Sequence, residues 1–349
     1  MNHEEVIVRR GQRSGLYVIV AVHSTTLGPA LGGARLWSYS TPGDGLADAL
    51  RLSEAMTFKA AAAGLELGGG KSVICVEGGL SIAHRREAML DLGDAVESLG
   101  GRYVVAEDVG TGSDDMAVVA ERTSHVVGVP VEQGGSGDPS PVTARGVEAA
   151  MRATCERCLG SPELDRYRIC VIGLGHVGSR LAERLADAGA SLVVSDIRPG
   201  GRRLAEHLGA EWVEPERAAT AECDVLAPCA LNGTIGRDNV AELRCGAVCG
   251  SANNMLADES VAAELHRRGI LYAPDFIANA GGLLHVYGEL HDLPEARVSE
   301  LVDGIGPALD AVFAEAEEGA ITPLEAAREL AAARLERARQ AERPARLVA

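Results

Sequence analysis

Arg168-Ile169-Cys170-Val171-Ile172 is a short apolar run, and Gly173-Leu174-Gly175-His176-Val177-Gly178 follows it directly. Ser179 to Ala188 then carries apolar residues at helical spacing, and a second apolar run, Leu192-Val193-Val194-Ser195, ends at Asp196. A strand, a glycine turn, a helix and a second strand in this order form a βαβ unit of a parallel sheet. Gly173 permits the tight turn. Gly175 lets the backbone approach a pyrophosphate at the helix N-terminus, and Gly178 allows helix and strand to pack closely. Asp196 lies 18 residues after Gly178, where a carboxylate accepts hydrogen bonds from ribose hydroxyls and repels a 2′-phosphate. The spacing therefore predicts a dinucleotide site that prefers NAD over NADP. Arg198, Arg202 and Arg203 follow closely and form either a solvated basic turn or a rim that tolerates a 2′-phosphate.

The rest of the chain fits around that unit. Further strands are expected at Val225–Ala227, Ala247–Cys249 and Leu271–Ala273, extending a parallel sheet with helices on both faces. Upstream, Leu16–Val22, Ser72–Val76 and Tyr103–Ala106 read as strands, and Ala47–Ala63 and Glu87–Leu99 as helices. The breaker-rich segment Gln133–Pro141 reads as a linker, with a helix opening at Thr143 and running to about Cys158. From Glu295 to about Arg343 the pattern is helical, and Ala326–Arg343 reads as a solvated helix. At 349 residues the chain has room for two domains. We expect an α/β protein with an N-terminal α/β domain over 1–138 and a C-terminal doubly wound Rossmann-type domain over 139–324.

Charge narrows the partners. The formal net charge is −17 and the pI about 5.0, a surface that repels phosphate backbones and anionic membranes. No apolar run is long enough to span a bilayer. Met1-Asn2-His3-Glu4-Glu5 lacks the basic start and apolar stretch of a signal peptide, so a cytoplasmic location is expected. The eight cysteines include one CxxC, Cys155/Cys158, and one CxxxC, Cys245/Cys249, without the paired spacing of a zinc site. Reduced, mostly buried thiols and no metal are expected. Trp37 is expected to serve packing rather than substrate stacking.

The chain has only two lysines, Lys59 and Lys71, and its other 31 basic residues are arginine. Arginine keeps its proton in a protein, whereas a buried lysine can lose it. Both lysines fall within 13 residues, beside Gly68-Gly69-Gly70, which reads as a glycine turn. Two amines on one site suit an anionic, carbonyl-bearing substrate. One pairs with a carboxylate, and the other, beside positive charge and partly desolvated, serves as a base.

Seven motifs in order then resemble one family over nearly the whole chain. They are Leu27-Gly28-Pro29-Ala30-Leu31-Gly32-Gly33, Met56-Thr57-Phe58-Lys59, Gly68-Gly69-Gly70-Lys71, Ala106-Glu107-Asp108-Val109-Gly110, Ala227-Pro228-Cys229-Ala230, Gly250-Ser251-Ala252-Asn253-Asn254, and Ala273-Pro274-Asp275 through Asn279-Ala280-Gly281-Gly282. The chain resembles the amino acid dehydrogenases for leucine, valine and phenylalanine, relatives of glutamate dehydrogenase. The resemblance implies reversible oxidative deamination of a hydrophobic L-amino acid to its 2-oxo acid and ammonia, with domain closure excluding water.

By residue, it implies that Lys59 binds the substrate carboxylate and Lys71 activates water. Asp108 exchanges a proton with the amino group, and Gly32 and Gly33 line the substrate main chain. Gly173, Leu174, Gly175, His176, Val177, Gly178 and Ser179 cradle the cofactor phosphates. Thr143, Asn253 and Asn279 hold the nicotinamide end or the substrate carboxylate. Leu31, Ala106, Leu283 and Val286 resemble a branched-chain pocket. His285 resembles the phenylalanine enzymes, and Tyr287 and Ala60 resemble tryptophan-oxidising relatives, which keeps an aromatic substrate as the alternative. By itself, His285 reads as a satisfied histidine at the pocket rim. A non-catalytic nucleotide-binding regulatory protein, or an amine or imine oxidoreductase of altered scope, are the other readings. The resemblance also implies a homo-oligomer assembled through the first domain, and a C-terminal helix, 325–349, packing back on that domain.

Overall fold

A computed structural model describes residues 2–76, 81–230 and 233–342 of the chain. The chain divides into two compact units. The first comprises the residues up to Asp138, with Val286–Leu293 and the chain from Ala331 onward; the second comprises Pro139–His285 and Pro294–Leu330.

The first unit is built on five strands: β1 (Glu5–Arg10), β2 (Tyr17–Ser24), β3 (Ala30–Ser38), β4 (Gly68–Val76) and β5 (Tyr103–Glu107), in the order β1-β2-β4-β3-β5. β1 and β4 run antiparallel to β2, while β3 runs parallel to both β4 and β5. Strand alternation splits the apolar residues between two faces. Ile19, Ala21, Val73 and Cys75 pack with Ala49 of helix α1 (Pro42–Ala62). Val18, Val20, Ala34, Leu36 and Ile74 turn the other way, to Met89 and Leu92 of helix α2 (Ile82–Glu97) and Met116 of helix α3 (Ser113–Ala120). Burying each such Ile, Leu or Met side chain is worth about 1.5–3 kcal/mol, so both faces are firmly covered. α1 starts sharply because Thr41 and Asp44 form a capping box around Pro42.

Gly68-Gly69-Gly70 does not form the expected turn. It is the first third of β4, fully buried, and its missing side chains make room for neighbours. A Cβ on Gly69 would lie 2.1 Å from the backbone nitrogen of Thr57, and one on Gly70 would strike the Tyr103 ring at 2.5 Å. The run is a packing device that brings α1 against the sheet. β1 and β3 also escaped the sequence reading, β3 because its two glycines interrupt the apolar alternation.

The second unit holds six strands: β6 (Arg168–Ile172), β7 (Ser191–Ser195), β8 (Glu211–Trp212), β9 (Val225–Pro228), β10 (Ala247–Val248) and β11 (Leu271–Tyr272). Their order is β11-β10-β9-β6-β7-β8 and every pairing is parallel. This is a doubly wound sheet whose order reverses between β6 and β9, the place where such sheets bind ligands. Helix α4 (Ser140–Leu159) begins three residues before Thr143, with Pro141 in its first turn, so the linker is shorter than its composition suggests. Helix α5 (His176–Asp187) follows the glycine turn.

The C-terminal stretch is three helices, Glu295–Asp303, Ile305–Gly319 and Pro323–Glu342. The last is not merely solvated. Ala331 and Leu335 bury against Ala61 of α1, and Arg334 donates to the Ala61 carbonyl at 3.0 Å. Among the described residues no helix is long and apolar enough to cross a membrane. The eight cysteines are free, five of them buried. No group of three or more His, Cys, Asp or Glu able to hold a metal occurs among the described residues.

Candidate active site

Lys71 lies on β4 and Asp108 directly follows β5, two strands that flank β3. Side chains from β4 and β5 can meet across β3 only if β3 presents no Cβ beneath them. Gly32 and Gly33 satisfy that condition. A Cβ at Gly33 would lie 2.6 Å from Asp108 Cβ, and one at Gly32 would lie 1.8 Å from the Gly70 carbonyl oxygen. With the space open, the Lys71 ammonium donates to Asp108 Oδ2 at 2.8 Å. Lys71 is 5% exposed.

A third group shares the same oxygen. Arg35, two residues beyond Gly33 on β3, donates from Nε to Asp108 Oδ2 at 2.9 Å and from Nη1 to Asp48 Oδ2 at 2.9 Å. Tyr39 donates its hydroxyl to Asp48 at 2.7 Å, and Arg51 pairs with the other oxygen of Asp48 at 2.7 Å. Arg35, Asp48 and Tyr39 were not singled out in the sequence. Strand alternation from Gly33 to Arg35 is the signal that places Arg35 on this face, and it is readable only once β3 is recognised as a strand.

The electrostatics follow from burial and from this count of charges. Burial pushes the Asp108 carboxyl up, but Lys71 and Arg35 outweigh it and hold the group at about 2. Burial also lowers the Lys71 ammonium below its ordinary value; Asp108 opposes that shift and Arg35 reinforces it. The two directions agree because Arg35 keeps its charge, so Asp108 stays ionised whichever form Lys71 takes. Next to Asp108, burial and then Asp138, Asp115 and Asp108 push Glu107 up to about 7.

Lys59 is half-buried on α1. Gly69 packs against Thr57, and each lysine lies two residues beyond that contact. Leu31 and Ala106 are buried on β3 and β5. Leu283 and Val286 are buried on the helix Gly281–Leu290, with Leu283 grouped in the second unit and Val286 in the first. His285 is half-buried on the same helix. Trp37, near the end of β3, is 49% exposed, so any packing it provides is partial.

The second unit presents the dinucleotide-type turn as a cradle. Gly173 has φ +96° and its Cβ would meet the Ala230 backbone nitrogen at 2.7 Å. A Cβ on Gly178 would lie 1.9 Å from the Gly173 carbonyl oxygen. At Gly175 a Cβ would meet only an Arg198 side-chain nitrogen, at 3.9 Å. Two glycines are therefore closed by protein and the middle one is open, the face a pyrophosphate needs. Gly175 caps α5 without a side chain, which leaves first-turn N–H groups for an anion. Around them, Leu174 is buried, Val177 half-buried and His176 exposed, and Ser179 donates to the Gly175 carbonyl at 2.7 Å.

Asp196 accepts from the Leu174 backbone nitrogen and the Arg198 backbone nitrogen, each at 2.6 Å, and from the Arg198 guanidinium at 3.1 Å. Arg198 and Arg202 are both solvent-exposed, as a solvated basic turn requires, and each also has a partner. Arg198 is pinned to Asp196, and Arg202 stacks over Trp212 at 4.9 Å and pairs with Glu214. Asn279 is buried and donates to Asn253 Oδ1 at 2.9 Å, which orients the exposed Asn253. Thr143 is buried in the first turn of α4, donating to the Pro139 carbonyl at 2.9 Å.

Comparison with known proteins places this arrangement. Residues 3–125 match the family described as Glu/Leu/Phe/Val dehydrogenase, dimerisation domain, and residues 201–343 match Glutamate/Leucine/Phenylalanine/Valine dehydrogenase. A leucine dehydrogenase from Thermoactinomyces intermedius is 42% identical over 341 residues, covering 97% of this chain and 92% of its own. A valine dehydrogenase from Streptomyces virginiae is 42% identical, covering 97% and 95%. Among solved structures, L-tryptophan dehydrogenase from Nostoc punctiforme superposes with a TM-score of 0.83 at 35% identity, covering 97% of both chains. With both family models matched and such identity along nearly its full length, the chain belongs to the Glu/Leu/Phe/Val dehydrogenase family and is an amino acid dehydrogenase acting on CH–NH2 donors.

Proposed function

We propose that this enzyme oxidatively deaminates branched-chain L-amino acids, reversibly, to 2-oxo acids and ammonia with NAD as the redox partner. The observation that carries the reading is the 2.8 Å contact between buried Lys71 and half-buried Asp108, formed over two glycines of β3. A bound nicotinamide dinucleotide supplies the acceptor for the hydride removed from the substrate Cα. The chain's own residues do the rest. Lys59 pairs with the substrate carboxylate. Gly32 and Gly33 let the substrate main chain approach the sheet. Lys71, in its neutral form, takes a proton from the water that adds to the imino carbon, then returns it as the carbinolamine collapses. Asp108 receives the substrate amino group as a hydrogen-bond acceptor and exchanges its proton. The first-turn N–H groups of α5 hold the pyrophosphate, Asp196 the ribose, and Thr143, Asn253 and Asn279 the nicotinamide end or the substrate carboxylate.

NAD is favoured over NADP because Asp196 is an acid at the end of β7, hydrogen-bonded into the mouth of the turn. Leu31, Ala106, Leu283 and Val286, each buried and apolar, are the residues proposed by resemblance to select the substrate side chain. The leucine and valine relatives at 42% identity support branched-chain substrates. The tryptophan dehydrogenase structure supports an aromatic substrate as the second reading. One methylene is worth only about 1–3 kcal/mol of discrimination, so a few pocket residues decide between them. The family model over residues 3–125 supports a homo-oligomer built through the first unit.

The deciding experiment is turnover of a panel of L-amino acids with NAD near pH 10, read by absorbance of the reduced cofactor. The expected result is a maximum on leucine, valine or isoleucine. A maximum on phenylalanine or tryptophan selects the second reading, and silence on the whole panel removes both. Lys71→Ala should lower turnover by about 10²–10⁴-fold, the span of a lost general base, while NAD still binds.

A further inference from the structure

The acid of the proposed pair has one oxygen with two donors and one with none. Asp108 Oδ2 accepts from both Lys71 and Arg35, at 2.8 and 2.9 Å. Oδ1 accepts no hydrogen bond among the described residues. Arg35 is itself held from behind, because Asp48 takes its Nη1 at 2.9 Å and is braced by Tyr39 and Arg51. The guanidinium is a rigid fork with one prong on each carboxylate, a geometry that a single ammonium does not reproduce.

We propose that Arg35 is a positioning residue for the reaction: by occupying Asp108 Oδ2 it leaves Oδ1 for the substrate amino group, and as a standing counter-ion it lets Lys71 shed its proton without stranding a half-buried carboxylate. This deepens the proposed function and rests on it for the roles of Lys71 and Asp108. Without Arg35, losing the Lys71 proton would leave Asp108 ionised and half-buried with no cation beside it, a costly state that would hold the proton on Lys71. With Arg35 present the same deprotonation leaves a paired carboxylate. The lowered Lys71 and the strongly lowered Asp108 agree with that logic. The charges that face Lys71 are Asp108 after β5, Arg35 on β3 and Asp48 on α1. Those that face Asp108 are Lys71 and Arg35, with Glu107 beside it and the Tyr103 hydroxyl beneath.

The chain's composition makes the test direct. Protein labelled with ¹³C-lysine contains two lysine side chains, so the titration of Lys71 is followed by its ¹³Cε shift without any need for turnover, with Lys59→Arg to assign the signals. Arg35→Gln should move the Lys71 titration to higher pH by about one unit or more. Arg35→Lys, which keeps the charge, should titrate close to wild type yet turn over at least about tenfold more slowly, because one ammonium cannot hold both carboxylates. Asp48→Asn removes an anion that faces Lys71 and should move the titration the other way, to lower pH. The acid limb of kcat/KM for the best amino acid should follow the same three directions. An Arg35→Gln titration that stays at the wild-type position overturns the proposal, as does an Arg35→Lys titration displaced as far as that of Arg35→Gln. Should Arg35→Gln fail to fold, an unmoved Asp48→Asn titration overturns it instead. A wild-type enzyme silent on every amino acid, with the NMR shifts as expected, would sink the functional reading and leave the charge coupling standing.

Discussion

Glu107 shows how much the neighbourhood of the proposed acid costs the fold. Burial first, then Asp138, Asp115 and Asp108, push it up to about 7. The folded protein therefore keeps a proton that the unfolded chain releases near pH 4.5. The group's contribution to stability is full below about pH 4.5 and is lost as pH rises through about 7. Glu107→Gln removes that slope. At pH 8 it should melt about 2–4 °C above wild type, allowing for partial exposure of the carboxylate, and near pH 5 the two should converge. Equal melting temperatures across the range would show that Glu107 is not held protonated by the fold. Lys71 was legible in the sequence because a chain that writes its positive charge as arginine has only two lysines. Asp108 was legible through its motif. Arg35 was not, because it is one of 31 arginines and its difference lies in geometry alone: both of its prongs meet carboxylates on the face where Lys71 points.

At the scale of elements, the site depends on glycines acting as absences. β4 begins with three of them and β3 carries two, and the sequence reading made a turn of the first set and missed the strand holding the second. Glycine has low strand propensity, and nothing in one sequence distinguishes a glycine that bends the chain from one that admits a neighbour. The three-dimensional neighbours do. At Gly69 the obstacle is the Thr57 backbone, which cannot swing aside as a side chain would. Gly69→Ala should push α1 off the sheet, cost about 1–3 kcal/mol in urea unfolding, and raise KM for the amino acid more than it lowers kcat, since α1 carries Lys59. A variant with unchanged unfolding midpoint and unchanged KM would show that this contact does not set the lysine spacing. The Rossmann-type unit, by contrast, was largely readable. Its buried strands are continuous apolar runs, and its glycine turn has one spacing that satisfies both close packing and anion approach. The exception is β8, two residues long at the edge of the sheet and with no apolar run to mark it.

For the whole molecule, the proposed preference for NAD rests on Asp196. Its carboxylate is engaged by Arg198, so a 2′-phosphate would meet both a repelling acid and a cation already committed to it. Asp196→Ser should free Arg198 and narrow the NAD to NADP ratio of kcat/KM by about tenfold or more, while kcat with NAD changes little. An unaltered ratio would place cofactor choice elsewhere. The arginine-for-lysine composition has a practical consequence of a different kind. Amine-directed reagents ordinarily decorate the outside of a protein at many positions, but here the lysine amines belong to a half-buried helix residue and a buried strand residue. On the roles proposed for Lys59 and Lys71, acylation or reductive methylation would thus become a reporter of substrate occupancy: their protection by an amino acid or 2-oxo acid, read by peptide mass, would footprint ligand binding with no other lysine in the chain to label.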